Sequence, residues 1–237
     1  MNMKLLLDSF DTKELGIDAY KLYLEYPVNS TELQKTLATL NRGMVACFAP
    51  LHPAINSTLT NNGFSLITLR STYTLIHKLI NPHNSTVTIT DSCEQAASFS
   101  HELWQPIVTS VAQFSRYFLD TKLGEESAFK LYHQWIENSL NGYADKVFCA
   151  VEGNVPLGII TLKNKEDGWY IDLLSVSCLA QGRGIGTALI KTALNSIDDQ
   201  RQIFVVTETE NIPANRFYQQ NGFRSSSLQV VYHKHYG

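Results

Sequence analysis

The sequence predicts an α/β protein of the α+β class with a central mixed, mostly antiparallel sheet. Three observations support this prediction. Short strand-like runs recur in the second half of the chain, and Gly153-Asn154 between two of them is a hairpin signal, because both residue types tolerate positive φ. The last of these runs leads into a glycine-rich loop and then a helical pattern. Alternating helical and strand-like runs in the first third predict a second, smaller α/β unit.

Turn-forming residues concentrate at Asn81–Thr86, between apolar segments on both sides. This clustering is typical of a domain junction or an exposed loop, so we place a boundary near residue 86. Residues 1–86 are predicted to form an N-terminal α/β domain and residues 87–237 a larger one. In the first domain we expect a helix over Glu32–Asn41 and strands over Met44–Phe48 and Ser65–Leu69.

The second domain is predicted to run β-α-α-β-β-β-α-β-α-β-β. Its elements are expected at Val87–Thr90, Glu94–Trp104, Glu126–Leu140, Val147–Glu152, Leu157–Lys163, Trp169–Val176, Thr187–Ser196, Ile203–Val206 and Pro213–Gln220, followed by terminal strands through Val231.

Composition excludes several classes of protein. The chain has 237 residues, 44% of them hydrophobic and 17% charged, with a formal net charge of -3, as in an ordinary globular protein. Its 19 Lys and Arg residues are scattered, so nothing predicts a nucleic-acid surface. The apolar run in Met1–Asp8 is too short for a signal peptide or a spanning helix. We therefore expect a cytoplasmic protein without a membrane partner.

No metal site is predicted. The four cysteines are widely spaced, so we expect buried, reduced thiols at Cys47, Cys93, Cys149 and Cys178. His233 and His235 alternate on a terminal strand, but two histidines without further ligands are more often ordinary strand residues.

The glycine-rich segment Gln181–Gly186 lies where a strand ends and a helix begins. Peptide N–H groups in such a turn can point at an anion, and the positive end of the helix favours negative charge. We therefore interpret the loop as a cradle for a diphosphate, although ordinary strand-to-helix turns also use glycine. A nucleotide P-loop is disfavoured because no Gly-Lys-Ser/Thr follows, and the glycine spacing does not fit a dinucleotide fingerprint.

Two segments resemble the signatures of the GNAT superfamily of acyltransferases. The first is Leu174-Ser175-Val176 followed by Gln181-x-x-Gly184-x-Gly186, and the second is Asn211–Phe223, which contains Tyr218. The resemblance covers residues 88 to 237 and implies an acyl-CoA co-substrate, without a metal. The residues that it implies for binding coenzyme A are Leu174, Val176, Gln181, Gly182, Arg183, Gly184, Gly186, Thr187, Asn211 and Asn215.

The same resemblance implies how the acyl group is transferred. An N–H group near Leu174 or Ser175 is expected to polarise the thioester carbonyl, and Tyr218 to protonate the departing thiolate as general acid. Asp172 on the central strand is our candidate for the base that receives the amine proton. His101, His133 and Glu137 are the other candidates.

Ser115–Asp120 and Leu131–Ser139 resemble the nucleotide-sugar branch of this superfamily, typified by dTDP-fucosamine acetyltransferases. This resemblance implies a homodimer that transfers an acetyl or 3-hydroxyacyl group to a dTDP-linked amino deoxy sugar for a surface polysaccharide such as lipopolysaccharide. The residues implied for the acceptor site are Phe10, Asp11, Arg116, Asp120 and Tyr132.

One departure from that branch concerns the base. We would look for a carboxylate shortly after Gly63-Phe64, but this stretch supplies Ser65 and Thr68, whose hydroxyls cannot replace it. The triplet Asn62-Gly63-Phe64 is repeated as Asn221-Gly222-Phe223, which suggests that the first domain is a degenerate GNAT-like half of an internal duplication. Two other functions remain open: acylation of a different amine, such as a peptide N-terminus, a lysine or an antibiotic, and non-catalytic sensing of acyl-CoA.

Overall fold

A computed structural model describes residues 3–76, 87–91 and 93–237 of the chain. Its strands are β1 (Met3–Leu7), β2 (Ala19–Leu24), β3 (Gly43–Pro50), β4 (Ser65–Leu75), β5 (Thr88–Thr90), β6 (Lys146–Glu152), β7 (Val155–Lys165), β8 (Gly168–Val176), β9 (Ile203–Glu208) and β10 (Phe223–Tyr236). Its helices are α1 (Ser9–Leu15), α2 (Ser30–Leu37), α3 (Pro53–Asn61), α4 (Cys93–Ala97), α5 (His101–Ala112), α6 (Arg116–Leu119), α7 (Gly124–Asn138), α8 (Ile185–Asn195) and α9 (Ile212–Gln220), with a π-helical turn after α7 (Ser139–Tyr143).

These strands form a single sheet in the order β1-β2-β3-β10-β4-β9-β8-β7-β6-β5. The pairs β2–β3 and β8–β9 are parallel and the other neighbours are antiparallel, which confirms the predicted mixed, mostly antiparallel sheet. Strand β10, from the end of the chain, lies between β3 and β4. The turn-rich segment Asn81–Thr86 lies outside the described residues, and the division near residue 86 stays a prediction.

Several boundaries differ from those predicted. Helix α2 starts at Ser30 rather than Glu32, because the Asn29 side chain accepts a hydrogen bond from the Glu32 N–H at 3.1 Å and caps the helix earlier. Helix α8 starts at Ile185 rather than Thr187, directly after Gly184. The predicted terminal strands are one 14-residue strand, β10, whose irregularities are absorbed as register shifts against β4.

Among the described residues between β5 and β6, the two predicted helical stretches are four helices. Residues 98–100 separate α4 from α5, and α6 lies between α5 and α7. Helix α6 begins at Arg116, where the Ser115 hydroxyl accepts a hydrogen bond from the Phe118 N–H at 3.2 Å. This short helix matters for the site, because it begins with Arg116 and is followed by Asp120, which are two of the predicted acceptor residues.

Both faces of the sheet are covered. Helix α8 packs its buried Leu189 and Ile190 with strands β7, β8 and β9 on one face, whereas Ile107 of α5 and Leu131 of α7 belong to a second core with Leu173.

Cys47 and Cys149 are buried free thiols, as predicted. Cys178 is exposed, contrary to prediction, because it lies in the loop after β8 rather than in a core strand. Within the ranges described, no helix is both long and apolar enough to cross a bilayer.

Candidate active site

Strands β8 and β9 diverge near the middle of the sheet. Their parallel register covers Trp169–Ile171 of β8 and ends at Ile171 opposite Val205. Beyond that point β9 stays paired with β4, and β8 stays paired with β7 up to Val176. In the described strands, residues 172–176 of β8 therefore have no partner on their β9 side. Backbone groups along this edge are open to a bound ligand.

A cavity of about 440 Å³, which we call the loop cavity, lies beside this edge. The glycine loop forms one wall, where Gly182 and Gly184 adopt left-handed φ angles of 78° and 75°. Gly184 is the N-cap of α8 and supplies no side-chain hydrogen bond to the first N–H groups of that helix. An anion in the cavity would therefore meet unsatisfied N–H groups and the positive end of α8.

Most residues predicted to bind coenzyme A line the loop cavity; they are Leu174, Val176, Gln181, Gly182, Gly184, Gly186, Thr187 and Asn211. Gly186 lies inside α8, and a Cβ there would come within 3.0 Å of Phe217 Cζ on α9. This glycine therefore permits close packing of the two helices that border the cavity.

Two predicted coenzyme residues are not among those that line the cavity. Arg183 pairs with Glu152 at 2.6 Å on the surface. Asn215 donates hydrogen bonds to the backbone carbonyls of Asn211 and Glu208, at 2.7 and 3.0 Å, and accepts one from the Tyr73 hydroxyl at 2.7 Å. In this geometry Asn215 fixes the turn between β9 and α9.

A second cavity of about 590 Å³, the polar cavity, adjoins the first. The two cavities share Val111, Leu174, Asn211, Ala214 and Tyr218 in their walls. The Tyr218 side chain is buried, and burial together with the nearby charge of Glu208 raises the pKa of its phenol above the ordinary value. Tyr218 therefore keeps its proton at neutral pH and can act as a donor.

Two carboxylates line the polar cavity. Asp172 on β8 accepts a hydrogen bond from the Trp135 indole at 2.9 Å, and burial raises the pKa of its carboxyl. Glu208, at the end of β9, was not singled out in the sequence, and burial also raises its pKa. The sequence signal that could have identified Glu208 is its position just after a predicted strand, three residues before Asn211. A raised pKa makes each a better proton acceptor near neutral pH.

The remaining candidate bases, His101, His133 and Glu137, are not among the residues that line either cavity. His133 hydrogen-bonds Gln105 at 2.8 Å and stacks on His101 with ring centroids 3.5 Å apart. Burial and the neighbouring His101 lower the pKa of His133 to about 4. These contacts give the histidine pair a packing role between α5 and α7.

Of the predicted acceptor residues, Arg116 and Tyr132 line the polar cavity. The Arg116 guanidinium is already held by three partners: Asp11 at 2.6 Å, the Tyr117 hydroxyl at 2.6 Å and His233 Nε2 at 3.1 Å. Asp11 is buried behind Arg116 and also accepts a hydrogen bond from Tyr117 at 2.8 Å. Asp11 therefore orients and neutralises Arg116 from outside the cavity.

Phe10 and Asp120 also lie outside the residues that line the cavity. Phe10 packs edge-on against Trp135, with ring centroids 6.3 Å apart. Asp120 Oδ2 contacts His233 Nδ1 at 2.6 Å and His235 Nε2 at 2.7 Å. These two histidines hold the pKa of Asp120 well below its usual range despite burial.

Asp120, His233 and His235 place three potential metal-ligating atoms within 4.8 Å of one another. Arg116 opposes that use, because a guanidinium can only donate hydrogen bonds and lies 3.1 Å from His233 Nε2. Nε2 must then accept, so Nδ1 carries the proton and donates it to Asp120. A metal on Nδ1 would require the other tautomer, and the contacts therefore favour a hydrogen-bonded cluster.

Comparisons with known proteins agree with this architecture. The model of the Acetyltransferase (GNAT) family matches residues 110–223. The spore coat polysaccharide biosynthesis protein SpsD of Bacillus subtilis is 27% identical over 121 residues, which is 50% of this chain and 42% of that protein. The chain thus spans less than half of this curated relative.

Two solved structures are similar in fold. A GCN5-related N-acetyltransferase from Sphaerobacter thermophilus has a TM-score of 0.60 at 12% identity, covering 98% of this chain and 76% of its own. A functionally unknown conserved protein from Staphylococcus epidermidis has a TM-score of 0.63 at 14% identity, covering 93% and 85%. The fold of this chain is the GNAT fold, and residues 110–223 are similar to the acetyltransferase (GNAT) family.

Proposed function

We propose that the chain is an N-acyltransferase that moves an acyl group from acyl-CoA to the amine of a dTDP-linked amino deoxy sugar. The observation that carries this proposal is the meeting of two cavities at Leu174 and Tyr218. One cavity has the glycine loop and the other has charged and aromatic walls. A thioester from the first side and an amine from the second would meet where the two walls are shared.

On the coenzyme side, the diphosphate binds the N–H groups of the loop, and the pantetheine arm lies along the open edge of β8. An N–H group near Leu174 or Ser175 then donates to the thioester oxygen as it becomes negative. One such donor contributes on the order of 3 kcal/mol to the stability of the transition state in other enzymes. The acyl group is acetyl or a longer chain such as 3-hydroxyacyl.

In the transfer step, the neutral amine nitrogen attacks the thioester carbonyl carbon and forms the new C–N bond. The C–S bond breaks, and Tyr218 gives its phenolic proton to the departing sulfur. A carboxylate, Asp172 or Glu208, receives the proton that the nitrogen loses, directly or through water. The raised pKa values of the two carboxyl groups suit the role of base, because these groups hold a proton more readily, and the raised pKa of Tyr218 keeps its phenol protonated before the transfer.

The walls of the polar cavity support a nucleotide-sugar acceptor. Aromatic side chains that could stack on a pyrimidine are Tyr23, Phe48, Tyr117, Tyr132, Trp135, Tyr143 and Tyr170. Cationic side chains that could attract a diphosphate are Lys21, Arg70, Arg116 and Lys165. The similarity to SpsD, whose name refers to polysaccharide biosynthesis, points to the same class of acceptor. Action in the cytoplasm, as a homodimer, is part of the proposal.

The test is release of free thiol from acetyl-CoA and 3-hydroxyacyl-CoA against a panel of amines. We expect turnover with dTDP-linked amino sugars and little with peptides, free lysine or aminoglycosides. A preference for one of the latter amines would contradict the sugar assignment while keeping acyl transfer. Tight binding of coenzyme A with no turnover on any amine would instead indicate an acyl-CoA sensor.

A further inference from the structure

Arg70 on β4 carries a positive charge for which the described ranges 3–76, 87–91 and 93–237 contain no ion-pair partner. Its Nε and Nη2 donate to a neutral acceptor, Gln229 Oε1, at 3.0 and 2.8 Å. The other cations of the polar cavity that form ion pairs, Lys21 and Arg116, contact Asp8 and Asp11 at 2.5 and 2.6 Å. Arg70 is thus a partly buried cation of this cavity that forms no direct ion pair within those ranges.

The surroundings of Arg70 make its positive charge unfavourable. Arg70 and Arg116 flank the same phenyl ring, with their Cζ atoms 4.2 and 5.6 Å from the Phe48 centroid. Burial, and then the like charge of Arg116, lower the pKa of Arg70 to about 10. The charge of Glu208, which lies opposite Arg70 in the strand register, offsets these two effects only in part, so an anion bound beside Arg70 would relieve both of them.

Arg70 is also held in a fixed orientation. Gln229 occupies one edge of the guanidinium and the Phe48 ring lies against its face. Within the described part of the chain, Nη1 has no hydrogen-bond partner, so donors remain on the edge that Gln229 does not use. A planar group that is fixed and has free donors is organised in advance for an anion with two oxygens.

The position of Arg70 sets how far this anion lies from the reacting amine. Tyr73 is three residues further along β4, and its ring centroid is 6.0 Å from that of Tyr218. Three residues of a strand span about 10 Å. A ligand anchored at Arg70 would therefore place its amine on the order of 10 Å from its anionic group.

We propose that Arg70 is an anion-binding residue of the acceptor site, which selects amines that carry a phosphate or carboxylate group. This inference rests on the proposed function, because it assigns the polar cavity to the acceptor. It adds the chemical feature by which that acceptor is recognised. An amine without an anionic group would lack the partner that Arg70 requires.

The experiment compares wild type with Arg70→Gln and Arg70→Lys, using Arg42→Gln as the matched control because Arg42 is exposed and pairs with Asp18 at 2.6 Å. The acceptors are a dTDP-amino sugar, an amino sugar 1-phosphate, an amino sugar bearing a carboxylate and the neutral methyl glycoside. We expect Arg70→Gln to raise KM for the anionic acceptors by about 10- to 100-fold. The KM for acyl-CoA and for the methyl glycoside should stay unchanged, and Arg70→Lys should be intermediate.

Calorimetric titration of the same proteins with dTDP and with inorganic pyrophosphate separates this inference from the proposed function. If no sugar is acylated but wild type binds these anions at least tenfold more tightly than Arg70→Gln, the anion site stands and the sugar-transfer proposal fails. Equal binding by both proteins, or no binding by wild type, overturns the inference. If Arg70→Gln fails to fold, Gln229→Leu removes the group that orients Arg70 and should weaken the same anions.

Discussion

Glu208 on β9 stands directly opposite Arg70 on β4 in the antiparallel register. Directly paired residues project to the same face of a sheet, so the carboxylate missing from Ser65–Thr68 of β4 has a counterpart on the neighbouring strand. Burial raises the pKa of Glu208, and burial, followed by the charge of Glu208, raises that of Tyr218. A carboxylate thus lines the same cavity as Tyr218, the proposed general acid.

We predict that Glu208→Gln lowers kcat by about 100-fold or more, the usual contribution of a positioned base. Asp172→Asn should have a smaller effect, because the Trp135 indole already engages that carboxylate. The loss of kcat in Glu208→Gln should become smaller as the pH rises, since more of the amine is then already neutral. Steady-state kinetics from pH 6 to 9 would measure this, with Glu137→Gln as an exposed control. A larger loss in Asp172→Asn would assign the base to Asp172.

Tyr218→Phe should lower kcat by about 100-fold while the dissociation constant of acetyl-CoA changes little. The ring and its packing against Phe223, with centroids 5.8 Å apart, are retained, and only the proton donor is removed. Stopped assays of thiol release combined with calorimetry would separate the two quantities. Near-normal turnover would show that Tyr218 does not protonate the leaving thiolate.

Gly186→Ala should destabilise the protein by about 1 to 3 kcal/mol and weaken coenzyme binding, because the new methyl group would come within 3.0 Å of Phe217. The added Cβ must push α8 and α9 apart beside the loop cavity. Denaturant unfolding and coenzyme titration would measure both effects. Combining the change with Phe217→Leu should recover part of the loss, and failure of the double variant to do so would contradict this packing.

Acid should destabilise the fold through His233. Burial and the Arg116 charge lower its pKa from 6.5 to about 4, although Asp120 acts in the opposite direction. The unfolded chain takes up this proton near pH 6.5 and the folded chain only near pH 4. The contribution of His233 to the free energy of unfolding is therefore fully present above pH 6.5. It declines as the pH falls toward 4, by about 3 kcal/mol in all.

Urea unfolding at intervals from pH 7.5 to 4.5 would reveal this decline. His233→Gln should be less stable at pH 7.5 because it loses the contact with Asp120, yet its stability should fall less steeply with acid. Parallel curves for the two proteins would mean that another group, such as His133, causes the acid sensitivity.

Local patterns in the sequence were sufficient to predict the glycine loop and the positions of Leu174 and Tyr218. Each depends on residues close together in the chain, where spacing and turn chemistry determine the backbone. Arg70 and Glu208 were missed because their relationship comes from the register of two strands far apart in sequence. The same limit applies to Asp120, which was predicted at the acceptor site but contacts His233 and His235, more than 110 residues away.

Strand β10 has a consequence for how the chain is made. Because β10 lies between β3 and β4, these two earlier strands cannot complete their hydrogen bonding before Phe223–Tyr236 have been synthesised. A premature stop codon before Phe223 would remove β10, the strand that joins β3 to β4, and leave two open sheet edges in the nascent protein. Formation of the complete sheet is therefore expected to wait for the synthesis of β10, and the edges of β3 and β4 are exposed to aggregation until then.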